Sequence, residues 1–476
     1  MVIRMTQVNQ TALENYLRTA KQAGNPAGQV RNFVDAGYVA LPHMLPFHAA
    51  ARQADETLGP FWIGLGGARG PGKSHAELAQ VGLDDCQRFE GLKWLFLRKI
   101  QKSAGESLED LVGRVFQSVP YEFSASAGRV DFPNTGSRIV VGGYKDEGDI
   151  DKYVGIEYDG MVIEELNQIS EKKVTALRGS IRTSRTDWRP RSYVSFNPGG
   201  IGHLMVKEHF VLPHRTGRQH KFLGGLTAFF PSTYRDNPFL DAGFVDYLEA
   251  IPGPLGKAWR DGDFDTFEGM AFPSWNQELH VIEPFVIPEV WPKWRAVDWG
   301  YAVPFSCHWY AKIPGLDRIY VYREVYGPGL VDAEQAVLIR EMTPPHEQIS
   351  ITYADPSMFN KRKWLGLDKS SADEYRENGV ILTPANNDRI AGKRKVDNRL
   401  AMRPDGLPGI QFFSNCHHMI RTLPALPLDE HNVEDVDTDA EDHAFDELKY
   451  SLTNERVHIP QQQRQTVSPL TQVQHL

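Results

Sequence analysis

The sequence predicts an α/β protein of two domains, the first of them built on a mainly parallel β-sheet. A chain of 476 residues is longer than one ordinary hydrophobic core can serve. Short apolar runs alternate with helical stretches between residues 60 and 198, which is the pattern of strands joined by crossover helices. After a stretch rich in proline and glycine, residues 251–292, a second set of aromatic and β-branched runs begins. The second domain is therefore predicted to be a mixed α/β domain.

The individual strands are predicted from short apolar runs that end in polar or turn-forming residues. In the first domain these runs are FWIGL ahead of Gly67, Trp94–Arg98, Arg138–Gly143, Gly160–Glu165 and Ser192–Pro198. In the second domain they are Trp294–Tyr301, Ser306–Ala311, Arg318–Tyr326 and Gln348–Asp355, with a helix near the C-terminus. The predicted division is a helical extension at 1–55, the first domain at 56–250, a linker at 251–292, the second domain at 293–456 and a flexible polar tail at 457–476.

Composition narrows the class of protein and its surroundings. Hydrophobic residues make up 41% of the chain and charged residues 24%, and no apolar run approaches the ~18 residues of a membrane span. The start of the chain lacks the apolar segment of a secretory signal, and the three cysteines, Cys86, Cys307 and Cys416, are far apart. The sequence thus predicts a protein of a reducing, cytoplasmic compartment, with no membrane partner, no disulfide framework and no cysteine-based zinc site.

Charge is distributed unevenly along the chain. A formal net charge of −9 argues against a protein that simply coats nucleic acid, because neutralising phosphates requires a basic surface. Local basic clusters are either solvated faces or contacts to phosphate. These clusters are Lys172, Lys173, Arg178, Arg182, Arg185, Arg189 and Arg191, then Lys361, Arg362 and Lys363, then Arg389, Lys393, Arg394, Lys395 and Arg399. An acidic stretch runs from Asp429 to Glu447.

A phosphate-binding motif follows the first predicted strand. The pattern G-x-x-x-x-G-K-[ST] is met by Gly67, Gly72, Lys73 and Ser74, with a further glycine at Gly70. Glycines let backbone N–H groups approach phosphate oxygens, the lysine reaches the outer phosphates and the serine binds Mg²⁺. The alternative is a Gly-rich turn without a ligand. Because a helix is predicted immediately afterwards, the sequence favours a P-loop that binds a nucleoside triphosphate.

Residues suited to hydrolysis end other strands of the first domain. In MVIEE, Glu164 is predicted to hold the metal through water, and Glu165 to be the catalytic base that orients the attacking water. The alternative for this pair is a solvated strand end. Asn197 ends a further strand, where its amide is placed to sense the γ-phosphate. Arg69 and Arg98 are the candidates to offset charge on the transferred phosphoryl group, and each is otherwise a surface or ion-paired arginine.

Carboxylates also end strands in the second domain. Asp298 and Asp355 each follow an apolar run, and strand ends of this kind converge readily. The pattern Thr438-x-x-Glu441 is a capping box that predicts the start of a helix. Residues predicted to share one face of that helix are Asp442, His443 and Asp446. Such a set is what cleavage of a phosphodiester by two metal ions requires, whereas the alternative is that these acids are turn residues and helix caps.

Nine short motifs follow one another along most of the chain, between about residues 60 and 452. They are GGARGPGKS, WLFLRK, VVGG, GMVIEELNQI, SFNP, TYRDNP, VDWGY, YADPS and DHAFDELKY. The series resembles the large terminase subunit of tailed double-stranded DNA phages. The resemblance implies an N-terminal P-loop ATPase domain of the RecA/ASCE-like fold that pumps DNA into a procapsid. It also implies a C-terminal α/β nuclease domain of the RNase H-like fold that cuts concatemeric DNA.

The resemblance also implies roles for single residues. Lys73 and Ser74 match the Walker A residues, Arg69 the loop arginine, Glu164 and Glu165 the Walker B pair, and Asn197 the coupling motif. Asp298, Asp355 and Asp446 match the nuclease acids, and His443 is similar to the histidine that often precedes the last acid. The chain departs from the family pattern at Glu164, where aspartate is more common. It also lacks a clear glutamine motif for adenine, with Gln53 as the nearest candidate.

The cofactors and partners follow from the same resemblance. It implies ATP with Mg²⁺ at Ser74 and Glu164, and two ions of Mg²⁺ or Mn²⁺ at Asp298, Asp355, Asp446 and Asp442. It implies duplex DNA, the portal ring and a small terminase subunit as partners, with a homo-oligomeric ring on the procapsid and a monomer in solution. The expected location is the cytoplasm of the bacterial host and, transiently, the portal vertex of the procapsid, but not the mature virion.

Two other functions fit the same motifs. One is a P-loop helicase or recombination ATPase whose C-terminal domain binds DNA without cutting it. The other is a non-catalytic assembly adaptor that retains an inactive nucleotide pocket, against which intact Lys73, Ser74 and Glu165 argue. In the favoured hypothesis, water oriented by Glu165 hydrolyses ATP, loss of the γ-phosphate moves the Asn197 segment, and that movement displaces a surface that grips DNA.

Overall fold

The computed structural model describes residues 10–99, 108–265, 269–361, 369–429, 432 and 434–454. The predicted tail at 457–476, Arg362 and Lys363 lie outside this part of the chain. The described residues form two compact units, the first reaching to Ala271 and including Ala425–Glu441, the second running from Phe272 to Pro424 and resuming at Asp442. The boundary at Ala271 lies within the segment predicted as a linker. The stretch 425–441, predicted for the second domain, groups with the first unit.

The first unit contains a nine-stranded sheet whose centre is parallel. Its order is β3-β4-β5-β2-β6-β7-β1-β9-β8. The strands from β5 to β9 in this order run parallel, while β3, β4 and β8 pair antiparallel at the edges. The strands are β1 (Trp62–Gly67), β2 (Lys93–Lys99), β3 (Glu122–Ser124), β4 (Arg129–Phe132), β5 (Ser137–Tyr144), β6 (Gly160–Ile163), β7 (Arg191–Phe196), β8 (Lys221–Phe222) and β9 (Gly225–Ser232).

The order of these strands positions the first site. Every residue of β1, β6 and β7 is buried, as expected of central parallel strands covered on both faces. Because β7 pairs with β1 on one side and with β6 on the other, the residues after these three strands meet at one edge of the sheet. The loop of residues 67–72, the pair Glu164–Glu165 and Asn197 all occupy that edge.

Helices of the first unit cover both faces of the sheet. They are α1 (Gln10–Gln22), α2 (Ala27–Asp35), α3 (Leu45–Gln53), α4 (Lys73–Ala79), α5 (Cys86–Arg88), α6 (Leu108–Val115), α7 (Glu171–Arg178), α8 (His203–Val206), α9 (Leu212–Thr216), α10 (Ala242–Ala250) and α11 (Gly253–Gly256). A wider helical turn at Gln80–Asp85 joins α4 to α5. The N-terminal helices belong to this core, since Phe33 and Phe47 are buried in the same cluster as Ile63 and Leu65.

The second unit contains a seven-stranded mixed sheet in the order β10-β16-β13-β12-β11-β14-β15. Strands β11, β12 and β13 form an antiparallel meander, and β14, β15, β16 and β10 pair parallel to their neighbours. The strands are β10 (Val281–Ile282), β11 (Lys293–Asp298), β12 (Phe305–Lys312), β13 (Ile319–Gly327), β14 (Thr352–Ala354), β15 (Thr383–Pro384) and β16 (Ile410–Phe413). The α/β class predicted for both domains is therefore confirmed.

Helices of the second unit include one that carries three predicted site residues. They are α12 (Gln277–His280), α13 (Asp332–Glu341), α14 (Ser371–Glu377), α15 (Arg389–Leu400), α16 (His417–Thr422) and α17 (His443–Thr453). The capping box predicted at Thr438 does not start α17, because residues 438–441 form turns and Asp442 is the N-terminal cap. The helix is anchored on the sheet, since Trp294 Nε1 donates to Ser451 Oγ at 2.8 Å.

Candidate active sites

The loop after β1 has the backbone shape that phosphate binding requires. Gly67 has φ +116, and a Cβ there would lie 2.3 Å from the Ser232 carbonyl oxygen. Gly72 has φ +94 and caps α4, while Gly70 lines the same cleft with φ +89. A side chain would strain each of these positions, so the glycines are explained by conformation. The loop borders a cleft of about 840 Å³, a volume typical of ligand sites.

Lys73 begins α4 and points back into the loop. Its Nζ donates to the Ala68 carbonyl at 2.7 Å and to Asn197 Oδ1 at 2.6 Å. Burial lowers the pKa of the ammonium to about 8, against the opposing effect of nearby carboxylates, chiefly Glu77. The predicted sensor amide is thus in direct contact with the predicted phosphate-binding lysine. Bound phosphate oxygens would supply further acceptors to this buried cation.

Glu77 lies one helical turn after Lys73 and is completely buried. Burial raises its pKa well above the usual range, and the Glu164 carboxylate adds to the rise. The Ser195 hydroxyl and Lys73 act in the opposite direction. A protonated Glu77 adds no negative charge beside the place where phosphates would bind, so this carboxyl is compatible with a polyanionic ligand.

The two glutamates after β6 differ in their surroundings. Glu164 is buried and forms an ion pair with Arg98, whose Nε lies 3.2 Å from Glu164 Oε2. Glu165 adopts a left-handed backbone conformation, with φ 54 and ψ 48, and lines the cleft together with Glu164. A non-glycine residue in this conformation costs about 1–3 kcal/mol and persists where the surroundings enforce it, commonly at functional sites.

Contacts with Trp259 and Asn237, which lie outside the motif, hold the loop in place. The Arg69 guanidinium stacks over Trp259 at 3.3 Å from the ring centre, and Asn237 Nδ2 donates to the Gly70 carbonyl at 2.8 Å. Arg69 and Asn237 line the cleft. Trp259 belongs to the segment predicted as a linker, which here lies against the P-loop within the first unit. The loop, Ser74 and the two glutamates together supply the N–H groups and oxygens that fit a nucleoside triphosphate with Mg²⁺.

In the second unit, Asp298 and Asp355 end neighbouring strands. Strands β11 and β14 pair in parallel with Val297 opposite Ala354, so the two aspartates follow side by side. Asp355 Oδ2 accepts from the Tyr450 hydroxyl at 2.8 Å. Burial raises the pKa of Asp298 to about 6, Asp446 and Asp355 add to the rise, and His443 opposes it. The predicted convergence of strand-end acids is therefore present for this pair.

Helix α17 places His443 and Asp446 near Asp298, but positively charged side chains already bind Asp446 and Asp442. His443 Nδ1 lies 3.2 Å from Asp298 Oδ2. Arg389 donates to Asp446 at 2.9 and 3.1 Å and to Asp442 at 3.2 Å. Lys449 is also buried and donates to Asp446 Oδ1 at 2.9 Å. The positive charges of Arg389 and Lys449 thus stand beside the last predicted metal ligand.

The carboxylates of the second unit do not form a ready metal site. Carboxylate oxygens are the ligands that Mg²⁺ and Mn²⁺ prefer. Among the residues that the structure describes, however, no group of three or more His, Cys, Asp or Glu side chains is arranged to hold a metal ion. The contacts of Asp446 give a physical reason. Arg389 and Lys449 already bind the oxygens that this carboxylate would offer to a metal ion. The site in this form does not fit two metal ions.

The basic clusters are less uniform than their sequence suggests. Arg191 is buried, donates to the Ala51 carbonyl at 2.6 Å and pairs with Asp55, so it is a core residue rather than a phosphate contact. In the cluster on α15, Lys393 pairs with Asp397, and Arg399 with Asp317. The burial of Arg191 argues against a phosphate contact there, whereas for Lys393 and Arg399 such a contact stays a prediction.

The comparison with known families bears on the first unit. Residues 64–253 match the family model described as phage terminase large subunit. The match covers less than half of the chain, and over this segment the chain is similar to phage terminase large subunits. The matched segment contains the residues predicted to bind the phosphates and Mg²⁺ and to hydrolyse ATP, from Gly67 to Asn197, but not Gln53.

Several solved terminase structures are similar to the chain. The large terminase of a thermophilic bacteriophage, in complex with ATP-gamma-S, is 16% identical with a TM-score of 0.38, covering 86% of this chain and 98% of that one. The HK97 bacteriophage large terminase is 9% identical with a TM-score of 0.45, covering 87% and 94%. The SPP1 large terminase nuclease domain with bound Mn is 17% identical with a TM-score of 0.28, covering 36% and 92%. No curated protein matches the sequence.

Sequence analysis did not identify Asn167, which connects two strand ends at the nucleotide site. Asn167 donates to the Gly199 carbonyl at 2.9 Å and accepts from the Asn197 N–H at 3.1 Å, so it ties the two strand ends to each other. The signal that could have identified Asn167 is its position three residues after Glu164 in the motif GMVIEELNQI.

Gln53, considered for adenine, is exposed and does not line the cleft. Among the described residues, no helix has both the length and the apolar character needed to cross a bilayer.

Proposed function

We propose that the chain is a DNA-packaging motor that hydrolyses ATP in the first unit to move duplex DNA into a procapsid. The observation that carries the proposal is the contact of 2.6 Å between Lys73 Nζ and Asn197 Oδ1 in a cleft that Glu164 and Glu165 also line. The contact joins a phosphate-binding residue to a strand end that is itself tied to the Walker B side through Asn167. The match of residues 64–253 to the family model for phage terminase large subunits supports the same proposal.

The residues of the cleft divide the chemistry among them. Lys73 and the N–H groups of the loop bind the outer phosphates, and Ser74 with Glu164 would hold Mg²⁺, which would neutralise charge on the phosphates. Glu165 accepts a proton from the attacking water and orients it. Arg69 and Arg98, which also line the cleft, are the proposed groups that offset charge on the transferred phosphoryl group. When Lys73 binds phosphate, its hydrogen bond to Asn197 weakens, and Asn167 carries that change to the Glu164 strand.

We further propose that the second unit cuts concatemeric DNA with Asp298, Asp355 and Asp446 as its acids and His443 beside them. Mg²⁺ or Mn²⁺ is the proposed cofactor, and Asp442 the additional ligand. Because Arg389 now binds both Asp442 and Asp446, metal binding requires that this arginine release them. The proposed partners are duplex DNA, a portal ring and a small terminase subunit, with several copies acting as a ring on the procapsid in the host cytoplasm.

The test uses the purified full-length chain. ATP turnover with Mg²⁺, with and without duplex DNA, is measured beside the conversion of supercoiled plasmid with Mg²⁺ and with Mn²⁺. We expect both activities. Plasmid cleavage that survives Asp298→Ala and Asp355→Ala would contradict the nuclease assignment and favour a helicase or recombination ATPase. Absence of ATP turnover in the presence of DNA and portal would favour an assembly adaptor.

A further inference from the structure

A second cleft lies in the first unit, at the opposite end of the sheet from the nucleotide site. Its volume is about 650 Å³. Phe61, which precedes β1, Pro190, which precedes β7, and Gly225, which begins β9, all line it. The cleft is therefore at the amino ends of the strands whose carboxyl ends carry the P-loop and Asn197. Strands of six residues separate the two clefts by about 20 Å, so they are distinct sites.

All of the charged side chains that line this cleft are positive. Its lining contains no aspartate or glutamate among the described residues, although the whole chain carries a net charge of −9. Its cationic lining residues are Arg178, Arg182, Arg185, Arg189 and Lys221. A concave surface lined by one sign of charge focuses the field and attracts ligands of the opposite sign.

Two of these cations have acidic neighbours outside the lining. Arg185 binds Asp187 with two hydrogen bonds, and Arg182 lies 3.6 Å from Glu157. In the part of the chain that the structure describes, Arg178, Arg189 and Lys221 have no carboxylate within ion-pair distance. Burial is the cause of a lowered pKa at Arg178, with no carboxylate raising it. The cleft thus holds three cations whose charge is not balanced locally.

Arg178 and Arg189, the two deeper arginines, each have a buried N–H donor that lacks a hydrogen-bond partner among the described residues. The Arg178 guanidinium stacks over Phe61 at 4.0 Å from the ring centre and donates to the Ile181 carbonyl at 3.1 Å. Its Nε, and Nη1 of Arg189, are buried without a hydrogen-bond partner among the described residues. A buried N–H group without an acceptor is unfavourable, and a charged one more so. Acceptors from a bound ligand would remove that cost.

We propose that this cleft binds backbone phosphates of duplex DNA. Guanidinium groups match phosphate oxygens with pairs of parallel hydrogen bonds, and exposed Lys221 and Arg182 extend the positive charge from the deeper arginines to the rim. A phosphate backbone carries one negative charge per nucleotide along each strand, which suits a cleft whose charged lining residues are all cationic. The identity of the polyanion rests on the proposed function, whereas the cleft and its charge do not.

The variant that tests the cleft is Arg189→Glu with Lys221→Glu, because neither side chain forms an ion pair with a described carboxylate. The matched control is Lys21→Glu with Arg31→Glu, an equal change of charge at exposed residues of α1 and α2. Binding of a short labelled duplex of arbitrary sequence is measured by fluorescence anisotropy between about 50 and 200 mM salt. Turnover of ATP without DNA is the check that each variant is folded.

We expect the cleft variant to bind DNA at least about tenfold more weakly, with a salt dependence of log K shallower by about 2, since two phosphate contacts are lost. Its ATP turnover without DNA should equal that of the wild type. Affinity and salt slope equal to those of the control variant would overturn the assignment of the cleft. If the wild type hydrolyses ATP but binds no duplex, the proposed partner of the motor fails instead. Competition by poly-glutamate as strong as that by DNA of equal charge would assign the cleft to acidic protein segments and overturn the proposal.

Discussion

The Lys73 ammonium lies 2.6 Å from the side-chain oxygen of Asn197, although 124 residues separate them in the chain. Strand β7 makes this contact possible, because it lies between β1 and the strand that ends in Glu164. In the proposed mechanism, this amide responds to whether Lys73 is bound to phosphate.

Replacing Asn197 by alanine should uncouple hydrolysis from DNA. Lys73 loses one acceptor and retains the Ala68 carbonyl, so nucleotide binding should change by less than about tenfold, the effect of one hydrogen bond to a charged group at the low end of its range. DNA-stimulated turnover should fall by more than that. Binding of a fluorescent ATP analogue and steady-state turnover separate the two effects. Equal losses in both would mean that Asn197 only supports binding.

Replacing Glu165 by glutamine should abolish turnover while nucleotide binding persists. A catalytic base contributes about 10²–10⁴-fold, and glutamine keeps the size of the side chain without its charge. Glu164→Gln is the comparison, because it removes the partner of Arg98 and should weaken Mg²⁺ binding instead. Turnover at the wild-type level in the Glu165→Gln protein would remove this residue from the mechanism.

Replacing Arg389 by glutamine should increase the affinity of the second unit for Mn²⁺. The change frees oxygens of Asp442 and Asp446 and removes a repelling charge, an effect on the order of tenfold for a partly exposed group. Arg394→Gln on the same helix is the control of equal charge, since Arg394 is exposed. Titration of Mn²⁺ followed by its paramagnetic resonance reports the affinity. Identical binding in both variants would show that Arg389 does not compete with the metal.

Replacing Gly392 by alanine should destabilise the second unit. The new Cβ would lie 2.1 Å from Lys449 Cγ, and overpacking of this kind costs about 1–3 kcal/mol. The same change in a Lys449→Ala background should cost much less, because the clashing side chain is gone. Urea unfolding of the four proteins gives the interaction energy. Additive effects would mean that the helices separate without strain.

The stability of strand β12 should fall as the pH rises toward 9. His308 is buried between Glu447 at 2.7 Å and Glu324 at 2.9 Å. Burial acts to lower its pKa, but the two glutamates outweigh burial and raise the pKa to about 9. A folded pKa above the ordinary 6.5 stabilises the fold fully below pH 6.5, and this stabilisation, on the order of 3 kcal/mol, is lost as the pH passes through 9.

Hydrogen exchange of β12 amides measures this local stability, corrected for the intrinsic rate at each pH. Glu324→Gln removes one of the two counter-charges, so its pH dependence should begin at lower pH. The Tyr310 hydroxyl also donates to Glu447, and neither change removes that bond. A flat profile in the wild type between about pH 6.5 and 9.5 would show that His308 is neutral when folded.

Local patterns predicted the glycines and strand-end residues that line the first cleft, because backbone conformation and strand order dictate their positions. Gly72 must adopt a positive φ, and Asn197 follows a buried strand, so both could be found without a structure. Trp259 under Arg69, and Arg389 on Asp446, join residues that are distant in sequence, and no local signal marks such pairs. Arg191 shows the reverse case, because a basic residue in a basic run is indistinguishable in sequence from one buried against Asp55.

The position of residues 425–441 decides which boundaries suit expression of the second unit by itself. Its Leu426 carbonyl accepts from the Ala271 N–H at 2.8 Å, and the Leu428 N–H donates to the Gly269 carbonyl, so these bonds belong to the first unit. The chain therefore passes between the units at three points, after Ala271, Pro424 and Glu441. A fragment that begins at Phe272 would carry an orphaned loop with an exposed apolar edge. A soluble second unit is better obtained by replacing 425–441 with a short hydrophilic bridge than by a single truncation.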